Sequence, residues 1–128
     1  MIIKKLVVGS MLSMLMASGM ASADWGDVYY CQMTNLNRIS IEGKQTNYKL
    51  EKFQFKLDHT KNAMVFGSKG YFTDTVVELV KKSSVPSGEL WYAKGKFSIF
   101  AFEKGNFLNT SVIAPEGITS LLAKCDKF

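Results

Sequence analysis

The sequence contains few of the residues from which catalytic and metal centres are built. His59 is the only histidine, and Cys31 and Cys125 are the only cysteines. A zinc site needs four ligands, and no second histidine or cluster of carboxylates accompanies these three residues. Nucleophilic catalysis needs a serine or cysteine beside a general base, whereas His59 lies in a polar turn pattern. We therefore predict no metal, no cofactor and no catalytic centre.

Two other catalytic patterns are also missing. The eleven acidic residues are spread along the chain, and no pair stands out as the two carboxylates of a glycosidase. The glycines fall singly at turn positions, so the sequence has no glycine-rich loop of the kind that cradles phosphate groups. Both absences favour a protein that is not an enzyme.

Arginine is almost absent, because Arg38 is the only one and the remaining basic residues are lysines. Most of these lysines stand alone between apolar positions, as on the solvated face of a sheet. Proteins that bind nucleic acid usually carry a clustered basic stripe with arginines that contact bases. The composition therefore predicts no nucleic-acid partner.

Long apolar runs are missing after the first residues of the chain. Lys4 and Lys5 precede the apolar run Leu6–Ala17, and a small-residue motif ends at Ala23. This order is typical of a secretory signal peptide, and the run is shorter than the ~20 residues that cross a bilayer. We predict a signal peptide over residues 1–23 and one mature domain over 24–128. The protein would then be periplasmic or secreted, and would meet the membrane only transiently, during export.

Removal of the signal peptide changes the charge and leaves both cysteines in place. The net charge falls from +5 to +3, because Lys4 and Lys5 leave while all the acidic residues stay. An even pair of cysteines in an exported protein favours one disulfide. A bond between Cys31 and Cys125 would join the first strand of the domain to its last.

Short alternating or apolar runs, separated by turn residues, predict an all-β domain. The expected strands cover Val28–Leu36, Ile39–Ile41, Tyr48–Leu57 with a bulge near Glu51 and Lys52, Ala63–Phe66, Tyr71–Val80, Leu90–Tyr92, Lys96–Glu103, Phe107–Ile113 and Ile118–Cys125. Two segments, Thr75–Lys82 and Gly117–Lys124, also suit a helix, but both are short and rich in β-formers. Sequential strands of this kind predict an antiparallel meander of about eight strands, as a barrel or a curled two-sheet sandwich.

The segment KFSIFAFE is unusual because both of its faces are apolar. A period-2 alternation places Phe97, Ile99 and Ala101 on one face, and Ser98, Phe100 and Phe102 on the other. A strand at the surface of a small domain is normally apolar on one face only. We expect the first face to fill the barrel, with Phe100 and Phe102 lying under the loop Ser83–Gly88 or against a partner.

Two neighbouring features are therefore candidates for binding. One is the aromatic set Trp91, Tyr92, Phe100 and Phe102, which the sequence alone also allows to be core. The other is the small polar loop Ser83–Gly88.

The same part of the chain resembles the periplasmic and membrane-bound inhibitors of C-type lysozyme. The resemblance rests on Tyr29-Tyr30-Cys31, Ser87-Gly88-Glu89-Leu90-Trp91, Phe100-Ala101-Phe102-Glu103-Lys104-Gly105 and Lys124-Cys125. It covers the two ends of the mature domain and the segment 87–105, and it leaves the middle unmatched. It implies a single β-barrel in which a serine and a lysine enter the lysozyme cleft. These positions correspond to Ser87 and Lys104.

Taken together, these features predict an exported, non-catalytic, monomeric β-barrel that binds a partner. Inhibition of a C-type lysozyme is its most specific form. One alternative is a lipocalin-like carrier of a small apolar ligand, since an eight-stranded barrel is able to hold one. Another is a structural component of the cell envelope that packs on another protein.

Overall fold

A computed structural model describes residues 23–85, 88–113 and 116–128, and its regular elements are all β-strands. In chain order they are β1 Val28–Ile39, β2 Gln45–Asn47, β3 Lys52–Asp58, β4 Ala63–Gly70, β5 Val76–Val85, β6 Gly88–Lys94, β7 Ser98–Glu103, β8 Asn106–Ile113 and β9 Gly117–Lys127. Over these ranges, no helix is long and apolar enough to cross a membrane.

The strands form a closed antiparallel barrel of eight strands, with one short strand added outside the ring. From β3 to β9, each strand pairs with the next along the chain. β1 closes the ring because one of its edges pairs with β3 and the other with β9. The additional strand, β2, pairs with the last residues of β1. The predicted all-β meander of about eight strands is confirmed, and it is a barrel rather than a sandwich.

Closure depends on the long pairing of β1 with β9, which runs from Tyr29↔Lys127 to Ile39↔Ile118. Within this pairing Cys31 lies directly opposite Cys125, and the two form the predicted disulfide. Their Cα atoms are 4.0 Å apart, closer than the usual 4.4–6.8 Å range. Directly opposed residues on neighbouring antiparallel strands already lie about 4.5–5.5 Å apart, so the register itself brings the two cysteines together.

The interior is filled mainly by aromatic rings. The buried aromatic residues are Tyr29, Phe53, Phe55, Phe66, Trp91, Phe100, Phe102 and Phe107. Ring centroids of Phe55 and Phe102 are 5.1 Å apart, and those of Tyr29 and Phe102 are 4.6 Å apart. These distances are typical of edge-to-face aromatic contacts. The alternation in β3 supplies two of these rings, because Phe53 and Phe55 point inward between outward lysines.

The two ends of the barrel have different structures. At the plugged end, the segment 23–27 crosses the opening, and the N–H of Gly26 donates to the carbonyl of Leu57 at 2.7 Å. The turns at 59–62 and 104–105 also lie at this end. At the opposite end, which we call the cleft end, lie β2 and the turns at 71–75 and 95–97. Successive turns of an antiparallel meander alternate between the ends, so the topology fixes this division.

The structure corrects the predicted face of β7. Phe100 and Phe102 are 4% and 1% exposed and lie in the barrel core. Phe97 and Ile99 are exposed instead. The segment is apolar on both faces, so alternation alone does not tell which face is inside. The register settles it, because Phe102 lies opposite Trp91 and Phe107, which are both buried.

Several predicted boundaries also change. The expected long loop Ser83–Gly88 is wrong, because β5 continues to Val85 and β6 begins at Gly88, which pairs with it. The separate strand expected at Ile39–Ile41 is wrong too, since Ile39 ends β1 and the chain turns after it. The two segments that also suited a helix lie in β5 and β9 except for Thr75, which precedes β5.

The structure does not place the expected bulge at Glu51 and Lys52. β3 begins only at Lys52, and Leu50 lies exposed in the connection before it. Pairing of β3 with β4 is irregular slightly later, between Phe53 and Phe55, and the pairing of β1 with β9 shifts between Met33 and Asn35. This shift lets both Met33 and Leu36 point into the core although they are three residues apart.

Candidate functional site

The structure separates the predicted site residues into three groups. Trp91, Phe100 and Phe102 are core side chains, so the expected aromatic binding surface built from them is wrong. They face inward because Trp91 of β6 lies opposite Phe102 of β7, and the barrel closes over this face of the two strands. Tyr92 is partly exposed on the outer face, and Lys104 is exposed at a turn. Ser87 lies outside the described residues.

Lys104 occupies a tight turn that projects it from the plugged end. Glu103 and Asn106 are the last partners of the β7–β8 hairpin, so Lys104 and Gly105 form a two-residue connection. Their φ angles are 47° and 76°, and two positive values are characteristic of a type I′ turn. The carbonyl of Gly105 accepts a hydrogen bond from the N–H of Cys125 at 2.8 Å. This bond ties the Lys104 turn to the disulfide.

The strand ends that flank Ser87 lie at the same end of the barrel as Lys104. Val85 and Gly88 are directly paired at the end of the β5–β6 hairpin. β6 is the neighbour of β7 in the sheet, so the hairpin ends beside the Lys104 turn. The family resemblance implies Lys104 and Ser87. The structure thus describes Lys104 itself and, for Ser87, only the strand ends that flank it.

The plugged end is held by an aromatic contact and a charged one. Trp25 packs edge-on against Trp91, with ring centroids 5.0 Å apart. Its other neighbour is His59, whose ring is tilted by 31° with centroids 4.9 Å apart. Nearby, the carboxylate of Asp27 pairs with the ammonium of Lys127 at 3.0 Å. His59 therefore packs on an indole ring, where the sequence predicted a simple polar turn.

Tyr29 connects this charged pair to the core. Its hydroxyl lies 3.5 Å from the Asp27 carboxylate. Burial raises the pKa of Tyr29 to about 12, and the negative charge of Asp27 contributes in the same direction. The phenol therefore stays protonated at neutral pH, and we assign it a structural role.

The cleft end holds the second surface feature, a concave site that the sequence analysis did not identify. Its volume is about 240 Å³, and its polar lining includes Arg38, Tyr48, Lys49, Glu51 and Tyr71. β1 supplies the arginine. The connection before β3 supplies Tyr48, Lys49 and Glu51, and the connection after β4 supplies Tyr71. The one sequence signal for this cleft is that Arg38 is the only arginine. Nothing in the sequence places Tyr48 and Tyr71 beside it.

Charge and burial act together on Tyr71 in this cleft. Burial raises the pKa of Tyr71 most, and the carboxylate of Glu51 adds to the increase. The positive charge of Arg38 acts in the opposite direction. The phenol, the carboxylate and the guanidinium all line this one cleft.

An apolar strip on the outer wall is the third surface feature. Its six exposed side chains come from β7, β8, β9 and the turn before β7: Phe97, Ile99, Leu108, Val112, Ile118 and Leu122. Register places several of them side by side, as Leu108 opposite Leu122 and Val112 opposite Ile118. Because this strip faces solvent while Phe100 and Phe102 face inward, it explains the two apolar faces of KFSIFAFE.

In the described part of the chain, no three His, Cys, Asp or Glu side chains lie close enough together to hold a metal ion. Comparisons with protein-family models, with curated proteins and with solved structures gave no match. The interpretation of the three surface features therefore depends on their own chemistry and geometry.

Proposed function

We propose that this protein is an exported, non-catalytic binding protein whose most specific activity is inhibition of a C-type lysozyme. The observation that carries the proposal is the position of Lys104. Its exposed turn projects from the plugged end beside the strand ends Val85 and Gly88, which flank Ser87. The family resemblance implies these two positions, and the barrel brings their surroundings together although they are 17 residues apart in sequence.

The chemistry of a lysozyme cleft suits a lysine held in this way. Glycosidases of this kind carry two catalytic carboxylates that flank the scissile bond. The Lys104 ammonium would pair with one of them and block access of the substrate. A lysine loses side-chain entropy when it is held in one geometry. The tight turn reduces that loss for the backbone, because Gly105 and the hydrogen bond to Cys125 already hold the chain in place.

The disulfide supports the proposed location. Disulfides form and persist in oxidising compartments and are rare in the cytosol, and Cys31 and Cys125 are bonded. A periplasmic or secreted protein, with residues 1–23 removed, is therefore the form that we expect to be active. We propose that it acts as a monomer.

The test is residual C-type lysozyme activity in the presence of the purified mature protein. We expect concentration-dependent inhibition, weakened about tenfold or more by Lys104→Gln, because a charged pair at the interface would lose one partner. Ser87→Ala should weaken it too. The matched control is Lys44→Gln, which removes an exposed lysine at the cleft end and should leave inhibition unchanged.

Two results would count against this proposal. A lack of inhibition at large molar excess would remove the lysozyme activity and leave only a binding protein of another kind. Equal loss on Lys104→Gln and Lys44→Gln would show that overall charge matters rather than the Lys104 turn.

The alternatives that the sequence allows receive unequal support. A carrier of a small apolar ligand needs interior space, whereas in this barrel the ring of Phe55 contacts the rings of Phe102 and Phe107 in the interior. An envelope component that packs on another protein would use the apolar strip, whose side chains face solvent. This observation makes the envelope component the second candidate. Sedimentation of the mature protein with isolated envelope fractions, lost in an Ile99→Ser and Val112→Ser variant, would support it, and recovery of all the protein as free monomer would contradict it.

A further inference from the structure

The cleft end presents polar groups that the proposed function does not use. The cleft is bordered by Arg38 from β1, by Tyr48 and Glu51 from the connection before β3, and by Tyr71 after β4. It lies at the opposite end of the barrel from Lys104. A ligand in this cleft would therefore leave the Lys104 turn uncovered.

Arg38 is held in position before any ligand arrives. The centre of its guanidinium lies 5.5 Å above the ring of Tyr48, a cation–π distance. Its Nε donates a hydrogen bond to the Thr119 hydroxyl at 3.4 Å, and a terminal nitrogen lies 4.0 Å from a carboxylate oxygen of Glu116. This last contact is long and partly exposed, so it contributes little.

These contacts leave donor capacity on the guanidinium. An arginine side chain has five N–H donors in a planar fork, and the contacts to Thr119 and Glu116 engage two of them at most. The fork geometry matches a carboxylate, with which it forms two parallel hydrogen bonds. Arg38 is therefore suited to hold an acidic group in the cleft.

The remaining charges in the cleft limit the kind of anion that fits. Lys49 adds a second positive charge and Glu51 a negative one, so the lining suits a ligand with a single negative charge. The Glu51 carboxylate would repel a second anionic group, but it accepts hydrogen bonds from hydroxyl groups. The phenols of Tyr48 and Tyr71 provide further donors and acceptors, and their rings offer apolar faces.

A ligand with one carboxylate, several hydroxyls and a partly apolar ring face satisfies all of these groups. The volume of about 240 Å³ lies just below the range of roughly 300–1,000 Å³ for drug-sized ligands, and suits about one ring. We propose that the cleft binds one ring of an acidic sugar, a pyranose that carries a carboxylate. The carboxylate pairs with Arg38, the ring lies against tyrosine, and the hydroxyls bond to Glu51.

The test uses sodium glucuronate as the probe and the mature protein as the sample. A titration followed by amide chemical shifts in ¹⁵N-labelled protein should give saturable changes confined to residues around the cleft. Glucose has a similar ring without the carboxylate, benzoate has a carboxylate without hydroxyls, and inorganic phosphate is an anion without a ring. Each comparator should bind at least about tenfold more weakly, because a charge-assisted hydrogen bond or the set of hydroxyl contacts is lost.

Variants then locate the site. Arg38→Gln should weaken glucuronate binding about tenfold or more, and Arg38→Lys should weaken it as well because lysine keeps the charge but lacks the fork. Tyr48→Ala should weaken it through loss of the ring. Lys61→Gln is the matched control, since it removes an exposed lysine at the plugged end and should leave affinity unchanged. The amide spectrum of each variant shows whether it is folded. If Arg38→Gln does not fold, Arg38→Lys still tests the site.

Three results would overturn the proposal. Absence of saturable shifts with glucuronate at millimolar concentration would exclude the ligand class. Equal binding of phosphate or benzoate would show an anion site without selectivity for sugars. Unchanged affinity in folded Arg38→Lys would exclude recognition by the arginine fork. None of these results bears on lysozyme inhibition, which is measured separately and depends on the opposite end of the barrel.

Discussion

The disulfide between Cys31 and Cys125 gives the most quantitative test of the fold. We consider the double substitution of both cysteines by alanine, which removes the bond without leaving a reactive thiol. The bond closes a loop with a sequence separation of 94 residues. In the chain-entropy model, a loop of this length stabilises the folded state by about 4.7 kcal/mol at 25 °C, with measured losses of about 2–5 kcal/mol for small secreted domains.

This loss is large compared with the stability of a small domain, which is roughly 5–15 kcal/mol. The barrel should nevertheless remain closed at 25 °C, because the strand pairing between β1 and β9 continues on both sides of the cysteines. We therefore expect a folded but much less stable variant that unfolds near 37 °C. The proximity of the Gly105 carbonyl to Cys125 also predicts loosening of the Lys104 turn.

Urea unfolding followed by tryptophan fluorescence measures the effect, since Trp91 is buried and Trp25 packs on it. For an m-value of roughly 1–3 kcal/mol/M, a loss of 4.7 kcal/mol lowers the midpoint by about 1.5–5 M. The m-value itself should rise slightly, because the unfolded chain without the bond is less compact.

Two controls separate the bond from other effects. Wild-type protein in reducing agent should reproduce the midpoint of the double variant. Asp126→Asn changes an exposed residue next to Cys125, and should stay within about 0.5 kcal/mol of wild type. If the double variant unfolds at the wild-type midpoint, the entropic argument fails. If thiols of the untreated protein react fully with a labelling reagent, the bond itself is refuted.

Two further predictions concern the core and the plugged end. Phe102→Ala should lower the free energy of unfolding by about 3–5 kcal/mol, because the ring is buried among other rings. Ile99→Ala, on the outer face of the same strand, should lower it by about 1 kcal/mol or less. Equal urea midpoints for the two variants would contradict the assignment of faces. Tyr29 has a folded pKa of about 12, above its ordinary value of 10, mainly because of burial and then because of Asp27. Since folding favours the protonated phenol, this contribution to stability is complete below pH 10 and is lost as the pH rises from 10 to 12. Ultraviolet absorbance of phenolate should show that Tyr29 ionises late, and Tyr71 is expected to ionise above the ordinary tyrosine pKa as well. Ionisation of all five tyrosines together near pH 10 would contradict the prediction.

Much of the fold could be predicted from the sequence because it depends on local patterns. Alternation such as Phe53, Phe55 and Leu57 between polar residues is sufficient to identify a strand and its buried face. Turn residues such as Lys104-Gly105 mark the hairpins between strands. The pairing of Cys31 with Cys125 followed from there being only two cysteines.

The candidate sites were less accessible to this reasoning. Lys104 is a candidate site residue only through the family resemblance, and the structure places it at an exposed turn. The sequence allows Trp91, Phe100 and Phe102 to form either a partner surface or part of the core, and the structure shows that they belong to the core. The sequence analysis does not identify the cleft of Arg38, Tyr48 and Tyr71, because its members come from a strand and two separate connections that only the fold brings together.

The sequence by itself determined the all-β character, the approximate strand number and the disulfide, because each depends on residue types or on neighbours along the chain. Only the tertiary structure decided which apolar face of β7 lies inside, since both faces have similar hydrophobicity. That choice depends on the register with β6 and β8, where Trp91 and Phe107 lie opposite Phe102. Such cross-strand partners are brought together by closure of the barrel, and the period of a single strand contains no information about them.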